Sequence, residues 1–190
     1  MHELHRYLFA AAWWAWAIGW FASSFFASAP KRVQDPGARL LLVAELVVVF
    51  ALLCSPRLGV GWLGRRIVPR TESLFTAGAA LLLAGLAFTA WARVCLGRNW
   101  SGQVTLKQGH RLIRRGPYAL VRHPIYTGLL LAFLGTAVAL DEYRGLLAVL
   151  IALQSFVRKY RLEERWLTEE FGGEYERYKR EVKALVPGVF

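Results

Sequence analysis

Cysteine is scarce in this sequence: Cys54 and Cys95 are the only two among 190 residues. Both fall in or at the ends of apolar runs, and neither belongs to a CxxC pair or a His/Cys cluster. That excludes a disulfide framework and a zinc site, and it predicts two buried, unpaired thiols and no metal. Acidic residues are also few, with 13 Asp+Glu against 24 Lys+Arg and a net charge of +11. Charge of either sign is thin, at 19% of residues, while 56% are hydrophobic and the mean hydropathy is +0.34. A chain this apolar is not an ordinary soluble domain. Apolar spans joined by basic segments, facing anionic lipid headgroups, account for both properties. Nucleic acid is excluded as a partner, because long apolar runs separate the charges and no basic–aromatic recognition motif is present. Internal repeats and low-complexity tracts are absent too, and the length fits one domain, residues 1–190.

What is there is a series of apolar stretches. Four stand out: Tyr7 to Ala29, Ala38 to Ser55, Leu74 to Leu96, and Ile125 to Leu140. A fifth, Leu146 to Val157, is short and runs into a charged helical segment. Membrane helices need about 20 residues, within a range of roughly 17–25. The first and third meet this alone; the others need flanking residues or some bilayer thinning. Ala27-Ser28-Ala29 imitates a signal-peptide cleavage site, but the run before it is long and holds Trp13, Trp14, Trp16 and Trp20, so a retained span is expected. The expected fold is an all-α integral membrane protein with about five spans: three in 1–96, a cytosolic loop in 97–123, two more spans in 124–162, and a cytosolic C-terminal helix and tail in 163–190.

Punctuation and charge organise the rest. Pro30 to Gly37 and Pro56 to Thr71 read as loops, the second as a shallow interfacial piece, and Asp141 to Arg144 as a short turn. Arg93–Arg122 carries seven Arg and Lys, Arg158–Lys183 carries eight, and the turn at 141–144 carries one. The positive-inside rule places both rich segments in the cytoplasm and the turn outside. The conflict is Pro56 to Thr71, with Arg57, Arg65, Arg66 and Arg70: either it is interfacial or the span count is off by one.

The longest polar interruption, Gly97 to His123, is dense in hydrogen-bonding side chains, aromatics and turn formers. Pro124 suits the first position of a helix, where its missing N–H costs nothing. His123 then sits at that helix N-terminus, where a small carboxylate has exposed N–H groups to bind. A solvated basic loop touching lipid phosphates fits the same composition. Further on, Lys159 and Glu163 are four apart and share a helix face. On the surface such a pair is worth about 0.2–0.5 kcal/mol. Where a membrane helix leaves the bilayer, ionisable residues often mark function, though snorkelling side chains dilute that inference.

Asn99-Trp100-Ser101 is followed by Gly109-His110-x-Leu112-Ile113-x-x-Gly116-x-Tyr118, then Arg122-His123-Pro124-x-Tyr126-x-Gly128, then Glu163-Glu164-x-x-Leu167-x-x-x-Phe171-Gly172-x-x-Tyr175-x-x-Tyr178. In order and spacing, these pieces resemble the isoprenylcysteine carboxyl methyltransferase family and its bacterial relatives, over Asn99 to Tyr178. The resemblance implies a membrane-embedded, S-adenosylmethionine-dependent methyltransferase with a cytosolic cofactor pocket. By position, Gln103, His110, Leu112, Ile113 and Tyr118 would line that pocket. His123, Pro124, Ile125 and Tyr126 would close it, with Glu163 on the facing helix. The strand and Gly-rich turn of soluble methyltransferases are absent, as expected if the family's own pocket binds the cofactor.

The chain departs from the family pattern at Lys159. The family places a substrate-binding arginine there, and lysine offers a point charge instead of a planar fork. Lys159 and Glu163 are the expected catalytic pair, with Lys159 and Arg158 on the substrate. The expected acceptor is a carboxylate (or thiol) on a lipophilic or lipidated molecule such as a prenylcysteine. Alternatives are a phospholipid or amine N-methyltransferase, a non-catalytic membrane protein binding lipids or a partner, and a reductase of the sterol-reductase kind. The expected location is a multi-pass integral membrane protein, of the plasma or inner membrane if bacterial, with the active site facing the cytoplasm.

Overall fold

A computed structural model describes residues 2–25, 30–69, 71–97, 105–107 and 112–189. Five long helices match the five apolar stretches: α1 (His2–Ser24), α2 (Pro36–Cys54), α3 (Glu72–Leu96), α4 (Pro124–Leu140) and α5 (Tyr143–Phe171). A short α6 (Gly173–Glu181) follows. Local chemistry sets their ends. Asp35 caps α2, accepting from the Ala38 N–H at 3.0 Å, and Pro36 opens the helix. Thr71 caps α3 through Leu74 N at 3.2 Å. At Gly172 (φ 53) the backbone turns left-handed and α5 stops.

Two short elements modify the all-helical expectation. β1 (Pro30–Val33), in the stretch read as a loop, pairs antiparallel with β2 (Thr105–Lys107) inside the polar interruption. The turn at 141–144 is also shorter than expected, because α5 already begins at Tyr143. Nor does a break separate the last apolar stretch from the charged helix after it: α5 runs through both for 29 residues, about 43 Å at 1.5 Å per residue.

The links meet in pairs at opposite ends of the bundle. At one end, β1 in the α1–α2 link pairs with β2 in the α3–α4 link. At the other, the α2–α3 link lies across the α4–α5 turn: Arg66 bridges Glu142, Tyr143 N–H donates to Arg65 O at 3.2 Å, and Val68 N–H donates to Asp141 Oδ1 at 3.2 Å. There the Arg144 guanidinium, buried at 5% exposure, donates to the carbonyls of Leu52 (3.0 Å) and Ser55 (2.5 Å) and pairs with Glu142 at 2.6 Å. Its charge closes the C-terminal end of α2, where unpaired carbonyls carry partial negative charge.

α3 and α4 are the most intimate pair. A Cβ on Gly85 would stand 2.5 Å from Gly128 O, and one on Gly135 2.4 Å from Leu82 N, so the backbones touch through glycine. Such close approach is the membrane mode of packing, where dispersion and not water exclusion holds helices together. Trp13, Phe133, Phe156 and Tyr126 stack in series through the core, with centroids 5.0–6.4 Å apart. Trp13 and Trp16 donate their indole N–H groups to Thr136 (3.1 Å) and Thr89 (2.9 Å). The outside is apolar as well: Trp14, Ile18, Phe21, Leu40, Val47 and Val94 are exposed. By length and composition α2 and α3 are long and apolar enough to cross a membrane, while α4 is apolar over 17 residues. The two cysteines are free, as expected, but Cys54 is exposed and Cys95 half-buried, correcting the expectation of buried thiols. Cys54 ends α2, whose apolar residues largely face outward.

Candidate functional site

The site forms where the start of α4 meets the charged half of α5. Pro124 occupies the first turn of α4 and is fully buried, which fixes His123 at the helix entrance. The His123 ring, 5% exposed at its side chain, lies between two tyrosines, with centroids 5.0 Å from Tyr160 and 5.8 Å from Tyr126. Its two nitrogens face two carboxylates. Nε2 is 3.0 Å from Glu164 Oε1, and Nδ1 is 3.4 Å from Glu163 Oε2. Tyr126 donates its hydroxyl to Glu163. Lys159, one turn before Glu163, sets its ammonium 5.4 Å from the Tyr126 ring centroid. Arg122 binds Glu164 through Nε (2.8 Å) and Nη2 (2.7 Å).

This arrangement holds charge. Burial pulls the His123 imidazole down, but its bonds to Glu163 and Glu164 outweigh that and hold its pKa above the ordinary value. Burial raises both carboxyl groups. The His123 bond and the Lys159 charge bring Glu163 below the usual range, and His123 and Arg122 do the same for Glu164. Both acids stay ionised and the imidazole favours its cation.

A strand-like segment locks the entrance from the C-terminal side. Arg122 and His123 donate their backbone N–H groups to Lys183 O (2.8 Å) and Ala184 O (3.0 Å), and Thr127 Oγ1 donates to Leu185 O at 2.8 Å. Tyr178 on α6 donates to Tyr118 O at 2.5 Å; burial pushes the Tyr178 hydroxyl up to about 12, so it remains a donor.

Of the sequence-predicted residues, His123, Tyr126, Lys159 and Glu163 come together. Tyr118 is buried beside them on a 310 turn, Gly116–Ala119. Leu112 and Ile113 are half-buried in the segment leading to it, and Ile125 packs into the core. Gln103 and His110 lie outside the described residues. Arg158 departs from expectation. It pairs with Glu45 on α2, which Ser155 also bonds at 2.6 Å, and so reaches towards α2 while Lys159 faces Glu163. Sequence reasoning missed Glu45, and it gave Arg122, Tyr160 and Glu164 no place in the cofactor pocket, although they fall within the two facing pieces. Glu45 had a signal, as the one carboxylate in the apolar run of α2.

Chemically, two ionised carboxylates beside tyrosine faces suit a cation, and the neighbouring ammonium suits a carboxylate. The carboxylates and tyrosine faces fit a sulfonium, and the Lys159 ammonium would face the carboxylate of a second ligand.

Comparison with known proteins bears on the same half of the chain. The family model for phospholipid methyltransferases matches residues 74–174. The chain is 33% identical over 115 residues to the protein-S-isoprenylcysteine O-methyltransferase of Schizosaccharomyces pombe, covering 59% of this chain and 49% of that protein. It is 32% identical over 113 residues to a probable protein-S-isoprenylcysteine O-methyltransferase of Oryza sativa subsp. indica, covering 58% and 59%. It is 42% identical over 78 residues to methanethiol S-methyltransferase 2 of Bradyrhizobium diazoefficiens, covering 38% and 27%. The chain spans about half the length of the isoprenylcysteine methyltransferases it matches. Among solved structures, the eukaryotic intramembrane Ras methyltransferase ICMT shares the fold, with a TM-score of 0.57 and 22% identity over 84% of this chain and 55% of that one.

Proposed function

The chain belongs to the phospholipid methyltransferase family, and from that premise we propose that it is an S-adenosylmethionine-dependent membrane methyltransferase of the isoprenylcysteine carboxyl methyltransferase kind. Its acceptor is a carboxylate, or a thiol, on a lipophilic molecule such as a prenylcysteine. The observation that carries this reading is the shared face of Lys159 and Glu163, set against His123 and Tyr126 where α5 leaves its apolar stretch. A lipophilic acceptor keeps its tail in the bilayer while its polar head reaches that face.

The cofactor supplies a methyl group already activated on a positively charged sulfur. Glu163 and Glu164 would hold the cationic part, with Tyr126 and Tyr160 presenting their rings, and Tyr118, Leu112 and Ile113 would line the remainder, which the family resemblance would complete with Gln103 and His110. Pro124 and Ile125 fix the helix entrance that closes over it. Lys159 orients the acceptor's carboxylate, with Arg158 at the rim. An α-carboxylate has a reference pKa of about 3.3–3.7, is ionised at neutral pH and needs no base, so alignment and exclusion of water are the main demands. A thiol, at about 8.5, must lose a proton first, and the Lys159 ammonium beside it favours the thiolate. The alternation of the links supports five spans, and the basic character of that end supports a cytosolic site.

The alternative acceptor, a phospholipid amine, arrives protonated and meets Lys159, Arg158 and Arg161, a cationic surface that repels it. The test is a methyl-transfer assay with labelled cofactor on purified protein in detergent, offered a prenylcysteine analogue, a small thiol and a lipid extract, with products identified by mass spectrometry. Methyl ester or thioether product is expected. N-methylated lipid instead reassigns the acceptor, and calorimetry showing no cofactor binding overturns the enzyme reading in favour of a non-catalytic binding module.

A further inference from the structure

Beside the site, a cleft of about 800 Å³ runs along the outer face of α5 to α6. Its cations are Arg158, Arg161, Arg165 and Lys179, and its acids are Glu164 and Glu169. Most of this charge is already answered. Glu164 is bound by Arg122 and His123, Arg158 by Glu45, and Lys179 by Glu176 at 2.7 Å. Arg161 and Arg165 are different: both are exposed, and among the described residues neither makes an ion pair or a hydrogen bond. They stand four apart on one helix face, with the Thr168 hydroxyl one turn further on.

Depth decides what this pair meets. The apolar stretch of α5 ends at Val157. At 1.5 Å per residue, Arg161 lies about 6 Å beyond it and Arg165 about 12 Å. The headgroup layer on each side of a bilayer is about 5–8 Å thick. Arg161 is therefore inside that layer and Arg165 just above it. Two unanswered guanidinium forks at that level match a phosphate with two free oxygens, which an arginine binds in bidentate fashion.

We propose that this cleft is a binding site for the phosphate of an anionic phospholipid headgroup, held by Arg161, Arg165 and Thr168 next to the methyl-transfer site. A soluble phosphate compound offers the same chemistry from the aqueous side, so the test separates the two sources. It reads lipid retention and needs no methyl transfer, so its outcome is independent of the enzymatic reading.

The full chain in mild detergent is titrated with short-chain phosphatidylglycerol, phosphatidylcholine and inorganic phosphate, and bound lipid is read by native mass spectrometry. Wild type is expected to prefer phosphatidylglycerol over phosphatidylcholine. The double variant R161Q/R165Q is expected to lose about 25-fold in affinity for phosphatidylglycerol, about fivefold per arginine, with phosphatidylcholine unaffected. R161K/R165K, which keeps the charge but loses the planar fork, is expected to recover only about half of the lost binding free energy, roughly fivefold in affinity; full recovery would make charge alone the determinant and overturn the bidentate site. Equal affinity of wild type for the two lipids, or unchanged phosphatidylglycerol binding in R161Q/R165Q, overturns the proposal. Displacement of phosphatidylglycerol by an equal concentration of inorganic phosphate also overturns it and assigns the cleft to a soluble ligand. If the double variant does not fold, a salt titration of wild type decides: the preference must fall as salt rises, and a salt-independent preference refutes an electrostatic site.

Discussion

The bundle has a polar cluster at each end, and the two are built on opposite principles. At the Asp141 end, Arg144 directs its donors to backbone carbonyls of α2 and to a near neighbour, Glu142. At the His123 end most bonds run from side chain to side chain: Arg122 with Glu164, His123 with both glutamates, Tyr126 with Glu163, Lys159 over a tyrosine ring; Arg122 alone also donates to backbone, to the Lys179 and Val182 carbonyls at the end of α6. The first cluster cannot change partners without fraying a helix end. Apart from Arg122, which is tied to the end of α6, the second can exchange partners for a ligand while the helix ends keep their bonds. Buried charge alone does not identify a site; what the charge is bonded to does.

The strongest way to break this contrast is Arg144→Ala. It strands the carbonyls of Leu52 and Ser55 and leaves Glu142 unpaired, and it should cost about 3–5 kcal/mol of stability in detergent unfolding. Turnover per folded molecule should change less than twofold; a selective loss of activity would make this end part of the site. Glu163→Gln should do the reverse, reducing methyl transfer about 100-fold with a smaller shift in melting temperature than Arg144→Ala. Equal effects on both readouts would erase the distinction.

The pH dependence of stability sharpens it further. Glu163 and Glu164 are depressed in the folded chain, so their contribution is complete above the ordinary carboxylate value of 4.5 and is lost as pH falls through their lowered values. His123 is raised, so its contribution is complete below the ordinary imidazole value of 6.5 and is lost as pH rises through its raised value. Melting temperature should therefore be highest between about pH 4.5 and 6.5, and His123→Ala should flatten the alkaline limb; an unchanged limb would mean the imidazole is not the group responsible. The smallest expected effect is Lys159→Arg. Restoring a planar fork should lower KM for a carboxylate acceptor about two- to fivefold with kcat unchanged. A fall in kcat instead would show that the lysine contributes more than orientation.

The helices were legible because apolar runs of adequate length, and Pro124 at the start of α4, are local signals; the caps Asp35 and Thr71 lay in stretches read as loops. The β1–β2 pair was not, since strands of four and three residues at the edges of polar loops carry no periodicity to read. Hydropathy changes within α5, where the last apolar stretch runs into its charged continuation, but nothing between Tyr143 and Phe171 interrupts a helix and the backbone does not respond. In the site, His123, Tyr126, Lys159 and Glu163 were legible from motif and spacing. That Lys159 faces Glu163 followed from their spacing, but that Arg158 turns away depended on Glu45, more than a hundred residues away in sequence and adjacent only after α2 packs on α5.

The backbone bonds from Arg122 and His123 to Lys183 and Ala184 have a consequence in time. A ribosome working at about 5–20 residues per second makes residue 184 roughly 3–12 s after His123. Through that interval α4 can already be inserted, yet its entrance lacks the acceptors that hold it. The site is thus assembled late in synthesis, and a nascent chain stalled before Lys183 carries every motif residue without the frame that orients them.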